Sequence, residues 1–411
     1  MHNKEGKIMA KRILIIGAGF AATDAALSAA RLRALQKVSS DELEITVIAP
    51  DPVLTVRPRL YEPNPEKMKV PLLDLFSAVD VNFVSGTVTG IDTDDQSITF
   101  ENRGNEAQKL RYDRLVLAAG SSLFRPPVPG VDQHTFSVDS IPEAVSLDLH
   151  LNGLTKRPDS PKRNTIVVAG GGFTGIEVAT EMATRRRNIL GPGGDVRVII
   201  VDRSSNIAPD MGDEARPHIT QALRQLGIRA ITATAITGVD ADGVTLSNGE
   251  RIDASTVIWA AGMRATPLTA CINAERDNFG RLLVDAYLAV PGVANVWATG
   301  DAAKAASDDL GNHTLMSCQH AKRMGAYAGN NAAASLLNVD PEPYQQRTYV
   351  TCLDLGEPGA LFTRGWDRKV EATGADAKAI KQEVNTIWIY PPKADRATAL
   401  AYAKPSSVVD L

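Results

Sequence analysis

Four stretches of the chain are each built around a largely apolar, β-branched run: "RILII" (12–16), "EITVIAP" (44–50), "TIVVA" (165–169) and "DVRVIIVDR" (195–203). Runs of this kind are what parallel strands buried on both faces require. The first and third are each followed by a glycine-rich turn and then by a helical stretch. The pattern predicts a strand over Arg12–Ile16, an Ala-rich helix to about Leu35 and a strand over 44–50. It then predicts the same unit again: a strand over Thr165–Ala169, a helix over Phe173–Arg187 and a strand over 195–203.

The turns carry the chemistry. Gly17, Gly19 and Ala22 stand in the spacing G-x-G-x-x-A, and Gly170, Gly172 and Gly175 repeat it, with Gly171 adding room. The first position allows the tight turn, the second lets a pyrophosphate approach the backbone, and the third lets helix pack on strand. The helix amides then point at the phosphates. An acid is expected at the end of the following strand to accept from ribose hydroxyls. Asp202 fills that place in the second unit and favours NADH over NADPH, while the neighbouring Arg203 leaves NADPH open. In the first unit Ala49 stands there instead, and Asp51 is the substitute candidate.

Two further strands end in Ala-Ala-Gly: "YDRLVLAAGSS" (112–122), with Ala119 and Gly120, and "ASTVIWAAGMRATP" (254–267), with Gly262. Glycine at a strand end permits close backbone approach, here to a nucleotide. "VPGVANVWATGDAA" (290–303) ends a strand in Gly300 and Asp301, an acid able to hold the ribityl hydroxyls of a flavin. Two corners suggest two nucleotides, a resident flavin dinucleotide and a visiting nicotinamide. A nicotinamide gives up its electrons as a hydride, and a flavin passes them on singly or in pairs. The competing reading is a duplicated scaffold with one idle site.

Composition narrows the classes. The chain has 411 residues, 44% apolar and 22% charged, with a net charge of −4, so nucleic acid is not expected as a partner. No apolar run reaches the length of a membrane span, and the N-terminal stretch shows no signal-peptide core. Cys271, Cys318 and Cys352 are scattered without C-x-x-C spacing, which argues for a reducing compartment and against a disulfide framework, with a redox dithiol of two distant cysteines as the weaker alternative.

The ordered set "IIGAGFAA", "VRPRLYE" (56–62), "LVLAAGS" (115–121), "VVAGGGFTGIEVATE" (167–181), "VIWAAGMRATP", "ATGDAA" and "SCQHAKRMG" (317–325) resembles the two-dinucleotide-binding-domain flavoproteins of the pyridine nucleotide-disulfide oxidoreductase superfamily. It looks most like the type II NADH:quinone oxidoreductases, over roughly residues 11–335. The resemblance implies FAD in the first domain and NADH in the second. It implies contacts from Gly17, Gly19, Phe20 and Ala21 to the FAD pyrophosphate, from Val88 to adenine, and from Gly300 and Asp301 to the ribityl chain. Gly170, Gly172, Gly175 and Asp202 are the implied NADH residues. Glu177 matches a family glutamate near the nicotinamide, and its plainer reading is a first-turn acid on the helix dipole. Gln319 matches the first of two family glutamines lining the quinone site, and Arg323 replaces the second. His320 reads as a structural histidine rather than a proton relay. Arg57 and Arg59 depart from the family pattern. They are open to three roles: offsetting the missing acid at Ala49, binding flavin phosphates, or meeting an acidic substrate.

The expected architecture is therefore α/β, with two Rossmann-like dinucleotide-binding domains, the second inserted in the first, and a C-terminal α+β region. The expected boundaries are 10–128 and 271–340 for the FAD domain, 129–270 for the NAD(P)H domain and 341–411 for the C-terminal region. "KVPLLDLF" (69–76) and "SVDSIPEAVSL" (137–147) read as connecting helices, and "KRPDSPKRN" (156–164) as a linker. Within "ADAKAIKQEVNTIWIY" (375–390), Ile380, Val384, Ile387 and Trp388 fall on one helical face, read as core packing in preference to a membrane anchor. The leading function is an FAD-dependent NAD(P)H dehydrogenase reducing a quinone-like acceptor, with Glu177 and Gln319 as the catalytic candidates and no metal. The alternatives are a soluble reductase of another electron carrier or small oxidant, motivated by Arg57, Arg59 and Arg323 and by the weak tail anchor, and an NADH-sensing flavoprotein. A cysteine-dependent reductase is disfavoured because no cysteine lies between residues 1 and 270. A homodimer is compatible with the reading. The expected location is cytoplasmic, with a peripheral seat on the inner face of the membrane as the weaker alternative.

Overall fold

A computed structural model describes residues 10–190 and 195–407. Strand β1 (Lys11–Ile16) leads through the first glycine turn into helix α1 (Phe20–Leu35), then into β2 (Leu43–Ala49), β3 (Asn82–Ser85) and β4 (Arg114–Leu117). An antiparallel three-stranded sheet, Thr87–Asp92, Ser97–Glu101 and Ala107–Arg111, lies between β3 and β4 in sequence. The chain then crosses at β5 (Ser121–Leu123) to the second unit: β6 (Thr165–Ala169), helix α2 (Phe173–Leu190), β7 (Arg197–Val201), β8 (Arg229–Ile231) and β9 (Thr256–Trp259). It returns at β10 (Met263–Ala265) to β11 (Val296–Ala298) and helix α3 (Cys318–Leu337).

These strands form two parallel sheets, β11-β4-β1-β2-β3 and β8-β7-β6-β9. Because β11 completes the first sheet after the second has been built, the second unit is inserted in the first, as the sequence predicts. Ile13, Leu14, Ile15, Ile166, Val167 and Val168 are fully buried, which explains why these strands do not alternate. The crossing points are themselves paired: β5 and β10 run antiparallel, with Ser121 opposite Ala265. Each follows its Ala-Ala-Gly corner, and Gly120 (φ +69°) and Gly262 (φ +84°) supply the left-handed conformation that turns the chain.

Helix α1 is buried almost all round, so small residues replace an amphipathic stripe. It packs along α3, and the contact is backbone on backbone. A Cβ at Gly325 would stand 2.2 Å from the Ala21 oxygen, and one at Gly329 would stand 2.0 Å from the Ala25 oxygen.

The C-terminal region is an antiparallel meander, β12 (Val350–Asp354), β13 (Ala360–Arg364) and β14 (Lys369–Thr373), followed by α4 (Gly374–Glu383), a π-helical turn over Val384–Trp388 and α5 (Arg396–Tyr402), which packs on α1. The π turn corrects the expected single face. Its wider spacing rotates the positions after Val384. Val384 packs against the core, Trp388 faces the cleft described below, and Ile387 is 65% exposed. "KVPLLDLF" is a strand, Lys69–Pro71, and then a helix, Leu73–Ala78, in place of one helix. In the second connecting segment the helix begins only at Ile141, where Pro142 in the first turn fixes its start. Among the described residues no helix is long and apolar enough to cross a membrane.

The α1–α3 crossing is testable. Gly329→Ala is expected to lose about 1–3 kcal/mol in urea unfolding, although alanine is the better helix former. Gly153→Ala, at a helical position where a Cβ meets nothing within 4 Å, is expected to gain about 0.5–1 kcal/mol.

Candidate functional site

The two glycine turns open on one cleft of ≈ 2130 Å³. At the first, Gly17 has φ +118° and a Cβ there would lie 2.5 Å from the Ala118 oxygen, so glycine alone allows β1 and β4 to meet. Gly19 begins α1 with no side-chain cap, and a Cβ there would meet open space. At the second, a Cβ on Gly175 would lie 1.9 Å from the Gly170 oxygen, while Gly172 again faces open space. Gly17, Gly19, Phe20 and Ala21 line the cleft from one side, and Gly172, Phe173 and Thr174 from the other. At α1 the result is a helix start with unclaimed amides and a positive dipole end, the arrangement that holds a pyrophosphate.

Of the other expected site residues, Val88, Ala119, Gly120, Asp301, Glu177 and Gln319 also line the cleft. Gly170, Gly175, Gly262 and Gly300 are not among the lining residues and serve the backbone geometry behind it. Gly300 (φ +61°) leaves room for Ala21, whose Cβ would be 2.8 Å from an added one. Asp202 also stands outside the lining. Its Oδ2 accepts from the Gly171 amide at 2.6 Å and its Oδ1 from the Ser204 amide at 2.6 Å, so it pins the second turn to the end of β7. Asp51 does reach the cleft edge, where it pairs with Arg103 at 3.0 Å.

Asp301 faces the cleft with burial pushing its carboxyl pKa up. Ser121 donates to its Oδ2 at 2.6 Å, and Arg57 approaches the same oxygen at 3.8 Å. Oδ1 has no hydrogen-bond partner among the described residues, so it is free to accept from a hydroxyl of a bound group. Arg57 lines the cleft, ion-paired to Asp139 and donating to the Ser121 carbonyl at 3.2 Å. Arg59 does not line it and instead binds Glu62 at 2.6 Å and the Tyr390 hydroxyl at 2.9 Å. Arg323 does not line it either. It is buried, and its Nε donates to the Gln345 carbonyl at 2.8 Å. Of Arg57, Arg59 and Arg323, only Arg57 is beside the cleft, and its charge is matched.

Glu177 is 4% exposed. Its Oε1 accepts from Lys381 Nζ at 2.8 Å and from the Asp354 amide at 3.0 Å. Burial pushes the Glu177 carboxyl up, and Lys381 pulls against it. The same burial penalises the Lys381 ammonium, but the carboxylate beside it overrides this and the lysine keeps its proton. This pair joins helix α2 to helix α4 across the cleft wall, and Lys381 itself lines the cleft. Sequence reasoning missed Lys381, whose only signal was a lysine beside an apolar helical face.

His320 is fully buried, stacked on Tyr349 with ring centroids 4.9 Å apart, and burial lowers its pKa to about 3. It is neutral at working pH and is absent from the lining, in keeping with a structural role. The cysteines differ from expectation in position: Cys271, Cys318 and Cys352 all border the cleft, brought there by three separate elements. Burial raises the pKa of Cys318 and pushes that of Cys352 to about 12, which favours the thiol form of both.

Comparison with known proteins agrees with this arrangement. The sequence profile of the pyridine nucleotide-disulphide oxidoreductases matches residues 11–325. The chain is similar to an NADH dehydrogenase-like protein of Mycobacterium tuberculosis, 42% identical over 397 residues, which cover 96% of this chain and 98% of that one. It is similar to a demethylphylloquinone reductase of Synechocystis, 28% identical over 86% of each chain. Among solved structures, NDH2 of Plasmodium falciparum in complex with NADH shares the fold with a TM-score of 0.77 at 16% identity, over 95% of this chain and 97% of that one.

Removing one member of the buried pair is expected to cost far more than removing both. Lys381→Met leaves the Glu177 carboxylate unpaired and should lose about 3–5 kcal/mol in urea unfolding at neutral pH, while Glu177→Gln with Lys381→Met recovers most of it. Because the Glu177 pKa is raised in the folded chain, the Lys381→Met loss should shrink as pH falls through that raised value and the carboxyl gains its proton.

Proposed function

The chain belongs to the pyridine nucleotide-disulphide oxidoreductase family, and from that premise we propose that it is an FAD-dependent NADH dehydrogenase whose acceptor is a quinone-like molecule. The observation that carries this is the opening of two glycine corners on one cleft that also holds Asp301 and the Glu177–Lys381 pair. FAD, when bound, supplies the chemistry of taking a hydride and passing the electrons on.

The chain's own groups bind, orient and hold protons. Gly17, Gly19, Phe20 and Ala21 would hold the FAD pyrophosphate, Ala119 and Gly120 would back the flavin, and Val88 would meet adenine through its backbone. Asp301 and Gly300 would hold the ribityl chain, and the free Oδ1 of Asp301 suits a hydroxyl donor. Gly170, Gly172, Gly175 and Gly262 would shape the NADH seat, and Asp202, anchored by two amides, would present its remaining lone pairs to the ribose. Glu177 and Lys381 would stand beside the nicotinamide end, and Gln319, whose Oε1 is 3.5 Å from the Val350 amide, beside the acceptor. The quinone acceptor draws support from the demethylphylloquinone reductase, which matches along 86% of its length. The rival reading, a soluble reductase of another electron carrier or small oxidant, drew on Arg57, Arg59 and Arg323 and on the weak tail anchor; Arg57 pairs with Asp139, Arg59 with Glu62, and Arg323 donates to the Gln345 carbonyl, so the arginines lend it no support.

The test is anaerobic. The purified holoprotein should show a flavin spectrum that NADH bleaches faster than NADPH does, and added quinones should restore it. A colourless protein, or a flavin that NADH leaves oxidised, would overturn the proposal. Asp202→Asn should raise the KM for NADH by roughly tenfold, the loss of about 1.4 kcal/mol in a charge-assisted hydrogen bond, and narrow the preference over NADPH. Serine at all three cysteines should leave NADH oxidation intact.

A further inference from the structure

Behind the cleft wall lies a group of ionisable side chains that binding and hydride transfer do not use. Helix α2 contributes Glu181, one turn beyond Glu177. The end of β12 contributes Asp354, and α4 contributes Lys378, one turn before Lys381. The segment before the Lys69–Pro71 strand contributes Arg59, Tyr61 and Glu62. The group is hydrogen-bonded from solvent to cleft. Lys378, its side chain 32% exposed, donates from Nζ to Asp354 Oδ1 at 2.6 Å. Asp354, 13% exposed, accepts at its Oδ2 from the Tyr61 hydroxyl at 3.4 Å. Tyr61 is buried and lines the cleft.

A structural group would satisfy itself and stop. This one continues from a partly exposed cation to a phenol at the reaction cavity, with the orientation of Asp354 fixed by the Gly356 amide at 2.8 Å. Its surroundings are charged on every side: Glu177 and Glu181 from α2, Lys378 and Lys381 from α4, and Glu62, held by Arg59, from the segment that carries Tyr61. Burial, with Asp354 adding to it, raises the Glu181 pKa to about 7, so a carboxyl that keeps a proton near neutrality stands next to the entrance.

We propose that Lys378, Asp354 and Tyr61 form the route by which a solvent proton reaches the acceptor in the cleft. This rests on the quinone-like acceptor proposed above. The balance requires such a route. NADH supplies two electrons and one proton as hydride, and reduction of two quinone carbonyls to hydroxyls takes two electrons and two protons. The sum is NADH + H⁺ + quinone → NAD⁺ + hydroquinone, and the lone proton comes from water. Along the route, the Tyr61 hydroxyl turns from Asp354 Oδ2 to the acceptor oxygen and its O–H bond breaks there. The Asp354 carboxylate takes a proton from Lys378 and gives one to the tyrosine oxygen, ending as the carboxylate it began as, and solvent reprotonates Lys378.

Tyr61→Phe and Asp354→Asn holoenzymes test this by stopped flow, with retained flavin absorbance and circular dichroism as the check on folding. NADH-reduced protein is mixed with a water-soluble quinone or with ferricyanide, which takes electrons without protons. Re-oxidation by quinone should slow roughly 100-fold, the scale of general-acid assistance, with a changed solvent isotope effect. Re-oxidation by ferricyanide should stay within about twofold of wild type on the same scale. Infrared titration of the oxidised protein should show a carboxyl band that titrates near neutrality, is lost in Glu181→Gln and shifts in Asp354→Asn. Quinone and ferricyanide rates that fall together, or a Tyr61→Phe protein with the wild-type quinone rate and isotope effect, would overturn the route. A wild-type protein that NADH reduces but no quinone re-oxidises would instead overturn the acceptor reading, and the route with it. If Asp354→Asn fails to fold, Tyr61→Phe, which keeps the ring, carries the test alone.

Discussion

The distance between α1 and α3 sets the geometry of the cleft. Gly325 and Gly329 let the two helices meet at their backbones, with the Ala21 and Ala25 carbonyls where side chains would otherwise stand. The unclaimed amides at the start of α1 and the residues at the start of α3, Cys318 and Gln319 among them, thereby line one cavity. A single methyl group at the crossing would move one set relative to the other. Close packing of this kind transmits a displacement instead of absorbing it.

The parts legible in the sequence were those whose cause is local. Gly17, Gly19 and Gly170 to Gly175 dictate turns through their own backbone freedom and lack of side chain, so both corners and their helices could be placed by inspection. The insertion of one unit in the other was expected from the family resemblance. Lys381 was not legible, because its partner Glu177 lies 204 positions away and nothing in the local pattern points to it. The same holds for the gathering of the three cysteines and for Arg323, whose side chain turns toward Gln345 and away from the cleft. The π turn at Val384–Trp388 defeated a periodicity that assumed 3.6 residues per turn throughout. The π turn apart, each of these outcomes depends on a contact between separate segments, and composition is silent about such contacts.

Charge in and around the cleft is compensated in detail. Arg57 faces Asp139 and Asp301, Glu177 faces Lys381, and Asp354 faces Lys378. An uncompensated ion in such a place would be expensive, and a compensated one fixes the orientation of the groups that hold it. The pairs connect elements far apart in the chain, so the walls of the cavity are held by the same interactions that set its polarity. For a member of this oxidoreductase family, that joins the positioning of ligands to the stability of the fold.

The two crossings between the units are hydrogen-bonded to each other as β5 and β10, and the corners before them are tied in as well, Thr266 donating to the Gly120 carbonyl at 2.9 Å and Phe124 to that of Gly262 at 3.1 Å. Two separate tethers would let the inserted unit slide and twist. A two-ply ribbon resists shear, because sliding would break its ladder, so the two halves of the cleft keep one registration with each other.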